Sequence, residues 1–112
     1  MRVALPYDNG NIFAHFGKAE AFVLYDINGA SYTSSIISTE GHSHHELAPF
    51  LKDKGVDALI CGGMGQGMVN ALSACGIRIY GGNNGSCEEA VKAFIQNGLE
   101  ERAESCHCHE IG

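Results

Sequence analysis

Three imidazoles stand within four residues at His42, His44 and His45, and His15 adds another earlier in the chain. Neutral imidazole suits iron, zinc, copper and nickel, so a run this dense points to contact with a metal or a metal cluster. A second concentration closes the chain, where Cys106, His107, Cys108 and His109 alternate thiol and imidazole. Such Cys/His tracts bind metal, yet Cys-x-Cys is tighter than the Cys-x2–4-Cys spacing of closed structural zinc sites. Fully extended, residues 99–112 would reach about 45 Å, far enough to bring thiolates to another part of the domain or to a neighbouring molecule.

Two glycine-rich segments offer a different chemistry. Gly62-Gly63-Met64-Gly65-Gln66-Gly67 leads into a helical pattern, and the unpaired N–H groups of a helix start favour an anion. The segment has no Gly-Lys-Ser/Thr and no G-x-G-x-x-G spacing, since position 70 is Asn, so a nucleotide is disfavoured. Tight strand-to-helix turns and a cradle for another anionic group remain as readings. Gly81-Gly82-Asn83-Asn84-Gly85 leads to Ser86 and Cys87. A thiol in the first turn of a helix can have a lowered pKa, which makes Cys87 a candidate thiolate. Cys61, ending an apolar strand, and Cys75, on an apolar helix face, read as core residues.

The elements that must position these residues follow from pattern. Residues 2–7 are an apolar strand ended by the turn residues Asp8-Asn9-Gly10. Residues 21–27 form a second strand, and Asn28-Gly29 is a type I′ hairpin signal that returns the chain as a third strand over 30–38. A helix starts near His45, because an earlier start would place Pro49 too deep in it, and Gly55 stops it. A strand over 56–61, a helix over 67–75 stopped by Gly76 and a strand over 77–80 follow. Ser86 and Glu89 form the capping box of a last helix that buries Val91, Phe94 and Ile95 and ends at Gly98. Residues 99–112 have little to bury and read as a mobile Cys/His-rich tail on a domain of residues 1–98.

Helical crossovers make the fourth and fifth strands parallel to the first. The expected fold is α/β: a five-stranded mixed sheet in order 3-2-1-4-5, strand 2 antiparallel, with three helices on its faces. In that order the carboxyl ends of strands 1, 3, 4 and 5 share one edge, where open α/β sheets bind ligands. Asn9, His15, the three clustered histidines and both glycine loops are expected along that rim.

Composition sets the outer bounds. The chain has 112 residues, 45% apolar, and a net charge of −6, so it makes one small domain and is a poor partner for nucleic acid. No apolar stretch is long enough for a membrane span, and Pro6 and Asp8 interrupt any signal-peptide core. Five unevenly spaced cysteines suit a reducing compartment, so a cytoplasmic location is expected.

VALPYDN near the start, His15-Phe16-Gly17-Lys18-Ala19, GVDALICGGMGQGMVNAL and GIRIYGGNNGSCEEAVKAF occur in that order across roughly residues 1–98. This combination resembles the dinitrogenase iron–molybdenum cofactor biosynthesis family, the small nitrogenase-accessory-factor-like domains. The resemblance implies a ribonuclease H-like fold. It also implies a non-enzymatic protein that binds and carries an iron–sulfur or iron–molybdenum cluster, exchanging it with donor and acceptor proteins. By the same resemblance His15 becomes a ligand candidate, and Gly62, Gly63, Gly65 and Gly67 form a loop against a bulky anionic cluster, with Asn9 and Ser86 beside it. Cys87 belongs to no motif of the family, and the tail lies outside the shared domain.

Two other readings compete. A mononuclear metal buffer or sensor would bind a single divalent ion, mainly through the tail, whose thiols could also bridge chains into a homo-oligomer. A metal-dependent nuclease would need carboxylates across the rim. Asp8 and Glu46 could serve, but the fourth strand ends in Cys61 and glycine where another acid is required.

Overall fold

The computed structural model describes residues 1–14, 16–39 and 46–97. The central strand is β1 (Arg2–Asp8), where Val3, Ala4 and Leu5 are fully buried because both faces of the sheet are covered. A two-residue strand, β2 (Asn11–Ile12), folds back on its end. The chain then makes a 3-10 turn at Phe16–Lys18, β3 (Ala21–Asn28) and β4 (Ser31–Ser38). Helix α1 (Leu47–Asp53), β5 (Ala58–Ile60), α2 (Gln66–Ala74), β6 (Arg78–Tyr80) and α3 (Cys87–Asn97) complete it.

The sheet order is β4-β3-β1-β5-β6, with β2 paired to β1 outside that path. Five strands were expected, and six are found among the described residues. The extra one is β2, whose two residues carry no periodicity and exist as a strand only through pairing with Tyr7 and Asp8. The pairs of β1 with β3 and of β3 with β4 are antiparallel, and those of β1 with β5 and of β5 with β6 are parallel.

The turn expected at Asp8-Asn9-Gly10 is present, and the type expected at Asn28-Gly29 is not. Asn9 and Gly10 both have positive φ, 50° and 89°, and join the paired residues Asp8 and Asn11. That is the sign pattern of a type I′ turn, so the first Asn-Gly is the I′ hairpin. At the second, Asn28 pairs with Ser31, so the central residues are Gly29 and Ala30. Only Gly29 has positive φ, 67°, which is the type II′ pattern with glycine first.

Two cores sit on opposite faces of the sheet. On one, α1 and α2 pack Leu47, Leu51 and Leu72 against Phe22, Leu24 and Leu59, with Phe16 edge-on to Phe22 at 5.4 Å between ring centroids. On the other, α3 packs Val91 against Val3, Leu5, Val23 and Ile60. Pro49 is the third residue of α1, within the first turn, where its missing N–H removes no helical bond. Helices α1 and α2 both close in the Schellman pattern. The N–H of Val56 bonds to the Leu51 carbonyl at 3.2 Å, and that of Ile77 to the Leu72 carbonyl at 3.1 Å.

Candidate functional site

Because β1, β5 and β6 are parallel and β4 runs the same way through two antiparallel pairings, their carboxyl ends share one edge. Three loops of that edge are sewn together by backbone hydrogen bonds. The β1–β2 turn meets the β6–α3 loop, where Ile12 N–H donates to the Gly85 carbonyl at 2.8 Å and Cys87 N–H to the Gly10 carbonyl at 2.9 Å. Asn11 and Ser86 form an isolated bridge there. The β6–α3 loop meets the β5–α2 loop through Gly82 N–H to the Gly62 carbonyl at 2.8 Å and Asn83 N–H to the Cys61 carbonyl at 3.0 Å. The glycine loops thus form one surface.

Asn83 fastens that surface. Its side-chain amide donates to the Tyr80 carbonyl at 2.8 Å and the Gly81 carbonyl at 3.1 Å, and stands 3.5 Å from the Cys61 carbonyl. In the sequence this Asn stands within a glycine-rich loop. Its available signal was an Asn within a glycine run just after a strand, where such side chains hydrogen-bond nearby backbone. Gly62 lies under it: a Cβ there would stand 3.3 Å from the Asn83 carbonyl oxygen, tighter than ordinary packing.

The other glycines of the β5–α2 loop behave differently. Gly65 is the N-cap of α2 with φ −68°, Gly67 lies inside the helix, and a Cβ on either would meet nothing within 4 Å. Neither the backbone angle nor a neighbour among the described residues requires glycine at these two positions. Gly65 offers no capping side chain, and while the Met68 N–H turns back to the Gly65 carbonyl at 3.1 Å, the N–H groups of Gln66 and Gly67 have no acceptor within the helix. No acidic residue stands in that turn, so α2 itself supplies no charge to offset the positive end of its dipole. Helix α3 is the contrast. Ser86 Oγ accepts the Glu89 N–H at 3.3 Å, and Glu88 and Glu89 occupy its first turn. Ser86, placed beside the expected ligand, therefore spends its hydroxyl oxygen on capping.

Next to the β1–β2 turn, on the same edge, lies a cleft of about 380 Å³ lined by Tyr7, Asp8, Asn9, Phe13, Lys18 and Glu20. Asn9 thus joins a polar wall of mixed charge. Cys87 departs from the expected thiolate. It is buried, 1% exposed, and burial pushes its thiol up to about 11. Desolvation of the charged form outweighs whatever the helix terminus offers. Cys61 is buried in the α1/α2 core, and Cys75 packs partly against it.

The expected metal ligands His15, His42, His44, His45, Cys106, His107, Cys108 and His109 lie outside the described residues. Among the described residues, no three His, Cys, Asp or Glu side chains group to hold a metal ion. What those residues supply at the rim is backbone N–H, a helix dipole and open approach.

A model of the dinitrogenase iron–molybdenum cofactor family matches residues 1–97. The chain belongs to that family. Among its relatives is a protein of Methanocaldococcus jannaschii that is named only as uncharacterised, 32% identical over 107 residues, which span 90% of this chain and 91% of that one. The crystal structure of the protein PH0822 superposes with a TM-score of 0.83 at 30% identity, covering 90% of this chain and 94% of that one. The apo form of the orange protein from Desulfovibrio gigas shares the fold, with a TM-score of 0.79 at 22% identity over 91% and 92% of the two chains. In this member of the family, no helix among the described residues is long and apolar enough to cross a membrane.

Proposed function

We propose that this protein is a non-enzymatic carrier that binds an iron–sulfur or iron–molybdenum cluster, or its precursor, for metallocofactor biosynthesis. The observation that carries the reading is the start of α2. Two glycines needed by neither backbone angle nor packing leave an uncapped, acid-free helix terminus open at the rim. A metal–sulfur cluster is large, anionic at its sulfides and short of donors of its own. It is suited by convergent N–H groups and by a surface that no side chain obstructs. Membership of the dinitrogenase iron–molybdenum cofactor family supports that class of cargo over a nucleotide or a simple phosphate.

On this reading the backbone supplies the bed, and imidazole from His15 and the 42–45 run supplies exchangeable ligation. Hydrogen bonds to cluster sulfurs hold the cargo without a closed cage, which suits a protein that must hand it to an acceptor. A fully coordinating pocket would bind more tightly and release more slowly. The work is done in the cytoplasm, between a donor and an acceptor protein.

Anaerobic reconstitution with iron and sulfide, with and without molybdate, tests this. A sulfide-to-iron charge-transfer absorbance is expected in the native chain. It should fall several-fold in Gly67→Leu, whose exposed helical position tolerates leucine, and in the combined replacement of His15, His42, His44 and His45 by alanine. Equal metal and sulfide content in the native protein and both variants would refute the rim as the binding surface.

A further inference from the structure

The two ends of the sheet are built differently. At one end β6 is three residues long and carries Arg78, whereas at the other β4 is eight residues long and carries no charge. Exposed edge strands are normally guarded by lysine, proline, a bulge or short length, because unpaired N–H and C=O groups recruit another strand. β4 has none of these guards. Its sequence is SYTSSIIS, and its register with β3 runs unbroken from Asn28↔Ser31 to Ala21↔Ser38. Ile36 is 58% exposed, one of two large hydrophobic residues so exposed among the described residues.

Register decides which backbone groups face outward. A two-residue hairpin closes on a hydrogen-bonded pair, here Asn28 and Ser31, and such pairs alternate along an antiparallel ladder. The Thr39 N–H to Glu20 carbonyl bond at 3.1 Å continues the same parity beyond the strand. Ser31, Thr33, Ser35 and Ile37 therefore point their backbone groups at β3, and Tyr32, Ser34 and Ile36 point theirs away from the sheet.

We propose that this edge pairs with β4 of a second copy of the chain, antiparallel about a two-fold axis through Ser34. Parity allows only registers in which Tyr32, Ser34 and Ile36 face one another. Centring on Ser34 overlaps residues 31–37 of both strands and sets Tyr32 opposite Ile36 of the second copy. The exposed isoleucine then gains an aromatic neighbour, and about six backbone hydrogen bonds form, two per facing pair.

The strand is its own complement, since each copy supplies both the Tyr32 and the Ile36 that pair across the axis. The chain carries −6 overall, so two copies repel almost everywhere, but two strands free of charge meet without opposing like charges. Glu88, on the helix above this edge, is occupied by the Tyr32 hydroxyl at 3.1 Å and by Lys92 at 3.8 Å. The isologous contact is closed, since each copy uses the same strand once. It lies three strands away from β5, whose following loop carries the glycines, and stands independently of the carrier reading.

Sedimentation equilibrium of the full chain under reductant, from about 1 to 500 µM, tests the proposal. The expected result is a saturable monomer–dimer equilibrium. In the dimer, hydrogen exchange at the amides of Tyr32, Ser34 and Ile36 slows, while the amides of Thr33 and Ser35, already bonded to β3, do not change. Ile36→Lys places charge on the edge, and Ser34→Pro removes an outward donor without touching the β3 ladder. Each should weaken association at least tenfold while the circular dichroism spectrum stays native. A monomer throughout the range would overturn the proposal, as would a dimer that survives both variants, association that disappears when residues 100–112 are removed, or aggregates that grow without limit.

Discussion

Replacing Asn83 by alanine tests whether the rim is held as described. The side-chain amide makes two hydrogen bonds of good length, to the carbonyls of Tyr80 at 2.8 Å and Gly81 at 3.1 Å. The third approach, to Cys61 at 3.5 Å, is too long to count fully. At about 0.5–1.5 kcal/mol for each neutral hydrogen bond, the loss comes to about 2 kcal/mol. For a domain of this size that lowers Tm by about 10 °C. The backbone bonds from Gly82 to Gly62 and from Asn83 to Cys61 remain, so the loop loosens without detaching. If the loss is local, hydrogen exchange at the Gly82 amide should speed up by about 30-fold, the equivalent of 2 kcal/mol. Asn83→Asp should be worse than Asn83→Ala at neutral pH, because it turns a donor into a negative charge facing carbonyl oxygens. Urea denaturation combined with amide exchange reads both effects. A change within about 0.5 kcal/mol for Asn83→Ala, with Gly82 exchange unaltered, would refute the role given to this residue.

Other expectations can be checked on the same protein. Cys87 and Tyr25 have folded-state pKa values raised to about 11 and about 12, from ordinary values of 9.0 and 10.0. Their contribution is therefore complete below pH 9 and lost as pH rises through 9–12, and Cys87→Ala should remove about 2 kcal/mol of that alkaline dependence in a pH series of urea melts. Below pH 9 the native Cys87 thiol should resist alkylation that Cys75 accepts, which mass mapping of iodoacetamide adducts can check. Asp26 behaves in the opposite sense. The Arg2 guanidinium, bonded to it at 2.7 Å, holds its carboxyl below the usual 3.8, so the contribution is present above that value and fades as pH falls through the folded pKa. Asp26→Asn should flatten this acid limb, and added salt should shrink the difference because the pair is exposed. Gly67→Ala, within an exposed helical turn that requires no glycine, should raise apo stability by about 0.5–1 kcal/mol in chemical denaturation, whatever it does to cargo binding.

Much of the fold was legible because it rests on local chemistry. The apolar runs at 2–7 and 21–27 mark strands, the spacing of Met68 and Leu72 marks a helix face, and Gly55 and Gly76 mark helix ends, all fixed by neighbours a few residues away. The Ser86 cap was legible for the same reason, and its hydrogen bond to the Glu89 N–H is present at 3.3 Å. Strand β2 was not legible, since two residues have no period and become a strand only beside β1. The sequence shows Asn-Gly twice, but whether the asparagine is the first central residue of the turn or the residue before it depends on which residues pair across the hairpin. Register is a long-range property.

The site divides along the same line. Residue type alone placed glycines before a helix start and concentrated His at positions 42–45 and Cys with His at 106–109, because those patterns need only the chain's own order. Only the tertiary structure could separate Gly62, wedged against Asn83, from Gly65 and Gly67, which face open space. Only it could show Cys87 sealed beneath the β1–β2 turn rather than ionised at a helix tip. Whether a backbone amide or a thiol meets water, a neighbour or a ligand is decided by segments far away in sequence, and no local pattern encodes that distance.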